Sequence, residues 1–369
     1  MYNLNTVISF ISIYILMIKI INLKNNNKYY IVGDIGGTNS RLAVYNNYGE
    51  QIFGKTYNNN LHRYCIKGGF YLICQEFFIS WNEYSITNNF KLDKCCLAIA
   101  GNIYQGKVEL NNKSIWGKIR EKIVAHIFNI PVEFINDFIG SSYGVLLLDL
   151  EKDVEFIQGS IESIKKNSPK CLIGAGTGLG QSYLTCNSNE YVAYPSEGGH
   201  SNFSPQNNKE YELQTWLIEK YSKNTKFNRI SKERVISGKG IVDIFKFLNG
   251  NNYECEQIDS NTISKNSKIY FLGKNDIFTE TMKIFTNCYG NVTGNLALQF
   301  LPFGGLFIVG GIASKNIEWI KSPEFLNPLL NKGRLSNLIK NIPIILVNSV
   351  DAINKLGKNG AWYYAKNKM

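Results

Sequence analysis

Only three histidines, His62, His126 and His200, occur in 369 residues. So few leave no multi-histidine metal centre to be built and make any single imidazole inside a motif stand out. None of the eight cysteines stands in a CxxC pair or at a Cys/His spacing that makes a zinc site. Cys65, Cys74, Cys95, Cys96, Cys171, Cys186, Cys255 and Cys288 therefore read as reduced, mostly buried thiols. Absent too is a dense arginine and lysine stripe interleaved with aromatics, which a nucleic-acid groove needs. The excess of 40 Lys and Arg over 29 Asp and Glu, a net charge of +11 and a pI near 9.1, is scattered among asparagines. No nucleic-acid partner is expected. A chain that is 44% hydrophobic and 13% aromatic is globular, not disordered, collagenous or wholly membrane-embedded. At roughly 100 to 200 residues per domain it holds two domains or one large one.

No charged side chain occurs in the first 18 residues, and the apolar run 7–18 is closed by Lys19. A spanning helix needs about 20 apolar residues, and Asn3 and Asn5 shorten this stretch. A secretory leader would have a basic start and a small-residue cleavage site, and neither is there. Met17 is read as the true start, since globular patterning begins near Lys28. Were residues 1–23 a membrane attachment, Lys19, Lys24 and Lys28 on its flank would keep the remainder cytoplasmic. A cytoplasmic protein with reduced thiols is the expectation, with organellar targeting or membrane anchoring by the N-terminal run as the open alternatives.

From Lys28, short apolar runs alternate with longer helical periods, an α/β pattern. Residues 29–32, 41–45 and 51–57 read as three consecutive strands joined by turns at 33–39 and 46–49. A helix over 61–81, interrupted or bent at Gly68-Gly69, comes next. Residues 95–100 read as a buried strand, 114–128 as a helix, 132–135 as a strand and 137–148 as a helix. The polar stretch 151–169 suits a domain boundary. Beyond it the pattern starts again, with strand 171–174, a glycine-rich reversal at 174–180 and return strand 181–185, which hints at a duplicated unit. Helical spacing marks 207–221, 231–248 and 277–300, while the Asn- and Ser-rich stretch 249–268 reads as a surface loop. Residues 306–309 and 342–347 are expected strands, and 351–366 a helix that packs back on the first domain. The expected division is 1–27 as an apolar extension, 28–148 with 350–369 as a small α/β domain, and 149–349 as a large α/β domain.

Gly33-Asp34-Ile35-Gly36-Gly37-Thr38-Asn39 sits between two strands, where glycines let backbone N–H groups close around a phosphate and hydroxyls donate to it. Asp34 repels that phosphate unless a divalent cation bridges them, which points to Mg2+ held directly or through water. Alone, the motif is also an ordinary tight hairpin. It is repeated, however, in Gly174-Ala175-Gly176-Thr177-Gly178-Leu179-Gly180, and two such loops could clamp one polyphosphate. The dinucleotide fingerprint G-x-G-x-x-G fails there, since its last position falls on Leu179 or Gln181. Residues 49–56 formally match the Walker A string, ending Gly54-Lys55-Thr56. They lie across a hairpin turn and an alternating strand, so no P-loop is expected.

Asn136 and Asp137 end an apolar strand where a helix begins, a usual ligand position in open α/β sheets. Asp137 there reads either as a helix N-cap or as a base that takes the proton of a hydroxyl attacking phosphorus. Glu197-Gly198-Gly199-His200 puts an acid and an imidazole on a glycine turn, and Glu233 precedes residues 235–240. Planar groups of this kind suit neighbouring sugar hydroxyls, although Glu233 between Lys232 and Arg234 also suits a solvated helix face. Gly310-Gly311-Ile312-Ala313 is either a simple strand-to-helix turn or a close backbone approach to a nucleoside.

Taken in order, the segments GDIGGTN-R, IAG, INDF, GAGTGLG, EGGH, ERVISG, GNLAL and GGI, spread from Tyr29 to about Ala365, resemble the bacterial-type glucokinases. These are the group A hexokinase family of the actin-like ATPase superfamily. The resemblance implies a two-domain actin-like ATPase, ribonuclease H-like α/β fold, with an active-site cleft between a small and a large domain. It further implies a homodimer and ATP-dependent phosphorylation of the D-glucose 6-hydroxyl. Asp137 becomes the base, with Asn112, Asn136, Glu197, His200 and Glu233 around the sugar. Asp34, Gly36, Gly37, Thr38, Asn39, Gly176, Thr177 and Gly178 surround the phosphates of Mg2+-ATP, with Asp34 on the metal side, and Gly311 lies near the adenosine. Sugar kinases with a cysteine-rich zinc motif fit less well, since no CxCGxxGC run occurs.

Two departures bear on the substrate. Asn102 stands where the family usually has Pro, and Asn111-Asn112 where a Thr-Asn pair lines the sugar site. Two other readings therefore stay open: a kinase for another hexose or an amino sugar, which substrate competition separates, and a catalytically silent sugar-binding sensor. The intact Asp34, Asp137 and both glycine loops weigh against the sensor.

Overall fold

The structure is a computed structural model that describes residues 28–87, 90–110, 115–222, 228–250 and 258–369. The N-terminal apolar run, Asn111, Asn112 and Cys255 lie outside them. The described residues of Val145–Leu356 form one compact unit, and those from Lys28 to Gly144 and from Gly357 onward form the other.

In the first unit, β1 (Lys28–Ile35), β2 (Asn39–Tyr45), β3 (Gln51–Asn58) and β4 (Lys91–Ile99) are followed by three short strands. These are β5 (Ile103–Tyr104), β6 (Lys107–Val108) and β7 (Ile119–Arg120), which make a small sheet of their own before β8 (Val132–Asn136). The main sheet runs β3-β2-β1-β4-β8, with β1 antiparallel to β2 and parallel to β4, and β4 parallel to β8. Tyr29 to Val32 and Cys95 to Ile99 are buried without interruption, as central strands covered on both faces require. Phe70, Ile73, Cys74, Phe77 and Trp81, at helical spacing, bring the helix Gly69–Ser85 into the same core.

Several elements differ from the sequence pattern. Gly68 takes φ +79, a left-handed conformation natural to glycine. The expected helix from 61 is therefore a 3-10 turn, His62–Tyr64, and the α-helix proper starts at Gly69. The helix expected from 114 begins only at Glu121, because Gly117 turns the chain at φ +67 and Ile119–Arg120 joins the short sheet. Residues 51–58 are strand β3, paired with β2, and no helix follows directly. The Walker A string is thus on a strand, without P-loop architecture.

The second unit holds β9 (Val154–Gln158), β10 (Lys170–Ala175), β11 (Leu179–Asn187), β12 (Glu190–Ser196), β13 (Leu306–Val309) and β14 (Ile344–Val347). Their order is β12-β11-β10-β13-β14-β9. Both sheets thus contain an antiparallel three-strand meander whose first strand continues into parallel neighbours. Inside the polar stretch 151–169 lies β9, antiparallel to β14. The helix Ile277–Phe300 supplies much of this unit's core. The stretch expected as a surface loop contains a helix, Ser260–Asn266, whose Asp259 cap accepts from the Thr262 N–H at 2.7 Å. Its polar composition misleads because Ser264 and Ser267 are buried, bonded to Asn316 and Trp319. Among the described cysteines, Cys74, Cys95, Cys96, Cys171 and Cys288 are buried, and burial pushes each thiol's pKa up.

The last helix, Val350–Asn367, serves the first unit from Gly357 on. Tyr363 stacks on Tyr143 at 5.3 Å, Asn359 accepts from the Tyr45 hydroxyl at 2.9 Å, and the Trp362 indole donates to the Asn46 carbonyl at 2.9 Å. It meets the helix Asp137–Gly144 backbone to backbone: a Cβ on Gly360 would stand 1.7 Å from the Gly140 carbonyl oxygen. Gly360→Ala is expected to destabilise the fold by about 1–3 kcal/mol through overpacking, read as a lower urea midpoint. The exposed Asn354→Ala on the same helix should shift it by less than about 0.5 kcal/mol.

Candidate active site

The parallel register of β1, β4 and β8 brings Ile35 level with Ile99, and Ile99 level with Asn136. The Gly33 to Asn39 loop and the Asn136-Asp137 pair therefore share the carboxyl end of one sheet, where open α/β sheets bind ligands. Asp34 and Arg41 face each other across the β1–β2 ladder, and the guanidinium donates to Asp34 Oδ2 at 3.1 Å. Desolvation pushes the Asp34 carboxyl above its usual pKa, while Arg41 and Lys358 pull it down. Gly357 lies against it: a Cβ there would stand 3.4 Å from Oδ1. The turn itself closes through the Gly36 N–H to the Asn39 carbonyl at 3.0 Å, with Thr38 exposed.

Capping of the helix Asp137–Gly144 falls to Asn136, whose side-chain oxygen accepts from the Phe138 N–H at 2.9 Å. The Asn136 amide donates to the Gly101 carbonyl at 3.3 Å, which fixes the side chain from its other end. Asp137 is the first helical residue, not the cap, and its Oδ1 accepts from the adjacent Phe138 N–H at 3.0 Å. Half-buried at a helix N-terminus, its carboxylate sits where the backbone dipoles favour negative charge.

In the second unit the Gly174 to Gly180 loop joins β10 to β11, with the Gly176 N–H bonded to the Gly178 carbonyl at 2.8 Å and Thr177 exposed. The Gly176 carbonyl takes the Gly238 N–H at 2.8 Å, tying the loop to the start of the helix Gly238–Leu248. Neither Gly176 nor Gly311 has any atom within 4 Å of where a Cβ would stand, so both present open backbone. Glu233 Oε2 accepts the Leu179 N–H at 3.0 Å. His200 stands between two acids, Nε2 at 3.6 Å from Glu197 Oε2 and Nδ1 at 4.0 Å from Glu233 Oε1. Arg229 braces this corner by donating to the His200 carbonyl at 2.8 Å and to Asn202 Oδ1 at 3.0 Å.

Within each unit, then, the residues singled out from the sequence gather. Asp34, Gly36, Gly37, Thr38, Asn39, Asn136 and Asp137 share one sheet end; Glu197, His200, Glu233, Gly176, Thr177 and Gly178 share one corner, with Gly311 opening the helix after β13. Asn112 lies outside the described residues. Sequence reasoning assigned no role to Arg41, although it stands in the GDIGGTN-R segment, nor to the Leu179 N–H. An Asp and an Arg flanking a two-strand reversal is the signal that finds the first; a backbone donor has no sequence signal. Among the described residues no three His, Cys, Asp or Glu side chains gather as a metal site.

Known proteins share this architecture. The sequence profile of the glucokinase family matches residues 31–367. A glucokinase of Nostoc punctiforme is 33% identical over 335 residues, covering 86% of this chain and 94% of that one. The crystal structure of a glucokinase from an Antarctic psychrotroph superposes with a TM-score of 0.70 at 25% identity, covering 92% of this chain and 99% of that one. A glucokinase of Balamuthia mandrillaris, solved in complex with glucose, gives a TM-score of 0.75 at 22% identity, covering 92% of this chain and 94% of that one.

Glu233→Ala leaves the Leu179 N–H, on a residue only 4% exposed, without its acceptor. An unpaired buried donor costs about 1–3 kcal/mol, so the urea midpoint should fall. Glu233→Gln, whose amide oxygen still accepts, should keep most of it.

Proposed function

The chain belongs to the glucokinase family and has its two-domain actin-like ATPase fold, and on that premise we propose that it phosphorylates the 6-hydroxyl of D-glucose with ATP, with Asp137 as the base. The observation that carries the reading is the position of Asp137. It opens a helix at the carboxyl end of β8, on the same sheet end as the Asp34 loop, and Asn136 takes the capping role.

Phosphoryl transfer asks mainly for positioning and for stabilisation of charge. The family resemblance assigns Asn136, Glu197, His200 and Glu233 to the sugar, and planar groups of this kind suit neighbouring hydroxyls. Asp137 accepts the proton of the 6-hydroxyl as that oxygen bonds to the γ-phosphorus. The bond from the γ-phosphorus to the bridging oxygen breaks, and ADP leaves. Backbone N–H groups of Gly37, Thr38, Asn39, Thr177 and Gly178 and the hydroxyls of Thr38 and Thr177 donate to phosphate oxygens, while Gly36 and Gly176 close the two turns with their own N–H groups. The open backbone at Gly311 suits the nucleoside. The sugar contact assigned to Asn112 rests on the family resemblance.

Mg2+ fits the donor set at Asp34. It is usually held by one or two carboxylates together with substrate phosphates, not by a cage of protein ligands, and Asp34 is one carboxylate beside a phosphate loop. Arg41 orients Oδ2, and the glycine at 357 keeps a side chain off Oδ1. Bound there, the ion supplies positive charge to the phosphoryl oxygens.

Among the described residues no helix is long and apolar enough to cross a membrane. A cytoplasmic location, expected from reduced thiols, and a homodimer, implied by the resemblance, complete the proposal.

ATP-dependent transfer to glucose, mannose, fructose and glucosamine tests the reading. Asp137→Ala is expected to lower kcat about 10²–10⁴-fold with circular dichroism unchanged; near wild-type turnover would sink the assignment. Chelation of divalent cations should abolish transfer and added Mg2+ restore it, and activity that survives chelation would speak against the Asp34 assignment.

A further inference from the structure

The first glycine loop is held from behind by a side chain that belongs to none of the motifs. In the run Asn58-Asn59-Asn60 the outer two are exposed, whereas Asn59 is fully buried at 0%. Its carboxamide nitrogen donates to the Gly36 carbonyl at 2.8 Å, and its carboxamide oxygen accepts from the Ser40 hydroxyl at 2.9 Å. Its backbone N–H donates to the Thr38 carbonyl at 2.8 Å. Positions 36, 38 and 40 are thus tied to one residue just past the end of β3.

The direction of these bonds has a chemical consequence. In a planar trans peptide, the carbonyl of one residue and the N–H of the next point opposite ways, and no peptide among the described residues is cis. With the Gly36 and Thr38 carbonyls turned to Asn59, the N–H groups of Gly37 and Asn39 are turned away from it. The reversal does not need this clamp to close, since the Gly36 N–H already meets the Asn39 carbonyl. What the clamp adds is removal of two carbonyl oxygens that would repel an anion, leaving the donor side of the loop outward.

We propose that Asn59 is a positioning residue for phosphate binding, which turns the Gly36 and Thr38 carbonyls inward so that the loop offers N–H groups to the ATP phosphates. The inference rests on residues 34–39 being a phosphate loop. Steady-state kinetics on the full chain test it with Asn59→Asp, which keeps shape and the Ser40 bond but loses the donor to Gly36, and with Ser40→Ala as a milder second variant. The expected result is a KM for ATP raised fivefold or more in Asn59→Asp and about twofold in Ser40→Ala. The KM for glucose should stay within twofold in both. A merely structural role would lower the melting temperature without this split. Folded variants with unchanged KM for ATP, or with both KM values moved equally, overturn the proposal. Asp34→Ala, run alongside, reads the loop itself. If it leaves both kcat and the KM for ATP unchanged, the phosphate-loop reading falls and takes this inference with it. If it impairs either one while the Asn59 and Ser40 variants do not, the Asn59 inference falls alone.

Discussion

The first unit is organised by a steric constraint set at the far end of the chain. The last helix lies so near the rest of the unit that positions 357 and 360 admit no side chain without displacement: one Cβ would stand 3.3 Å from Asp34 Cγ and the other 1.7 Å from the Gly140 carbonyl oxygen. The strand end that carries Asp34 and the helix that opens with Asp137 are both seated against this one rod. Because protein interiors are close-packed and transmit strain, a shift of the rod would move both carboxylates, and misplacement by about 1 Å can cost 10²-fold in rate.

On that frame, polar contacts set individual side chains, and their burial decides what each is worth. The Glu197–His200 contact at 3.6 Å joins side chains that are 75% and 53% exposed, and such pairs contribute little to stability. Their exposure leaves them available to a ligand. Glu233 differs, because one oxygen satisfies a buried backbone donor in the glycine loop while the other faces His200. Glu233, proposed to bind the sugar, thus also holds a loop, so its removal is expected to act on both binding and stability.

The two glycine reversals are built alike, each joining the first two strands of a meander and each with an exposed threonine, Thr38 or Thr177, at the turn. They are supported differently. A buried carboxamide backs the first loop, whereas the Glu233 carboxylate and the Gly238 N–H brace the second. The repetition lies in the strands, and the tuning lies in what each sheet packs against.

Much of the fold and of the site was legible in the sequence because it is local. Strands 29–32 and 95–100 announce themselves by unbroken apolar character, the reversals by their glycines, and Asn136-Asp137 by its place after an apolar strand. Where local composition and tertiary environment disagree, the pattern misleads. Serines at 264 and 267 look like a loop but are buried with partners, and the helix expected from 114 yields to a left-handed glycine at 117. Three asparagines in a row carry one composition, yet only the middle one is buried. By itself, then, the sequence determined the α/β pattern, the family and the candidate residues for the chemistry. Only the tertiary structure decided which more distant groups hold them: the Asn59 clamp 23 residues from Gly36, and Glu233 on an amide 54 residues away. These rest on close approach between segments distant along the chain, and no local periodicity encodes such a distance.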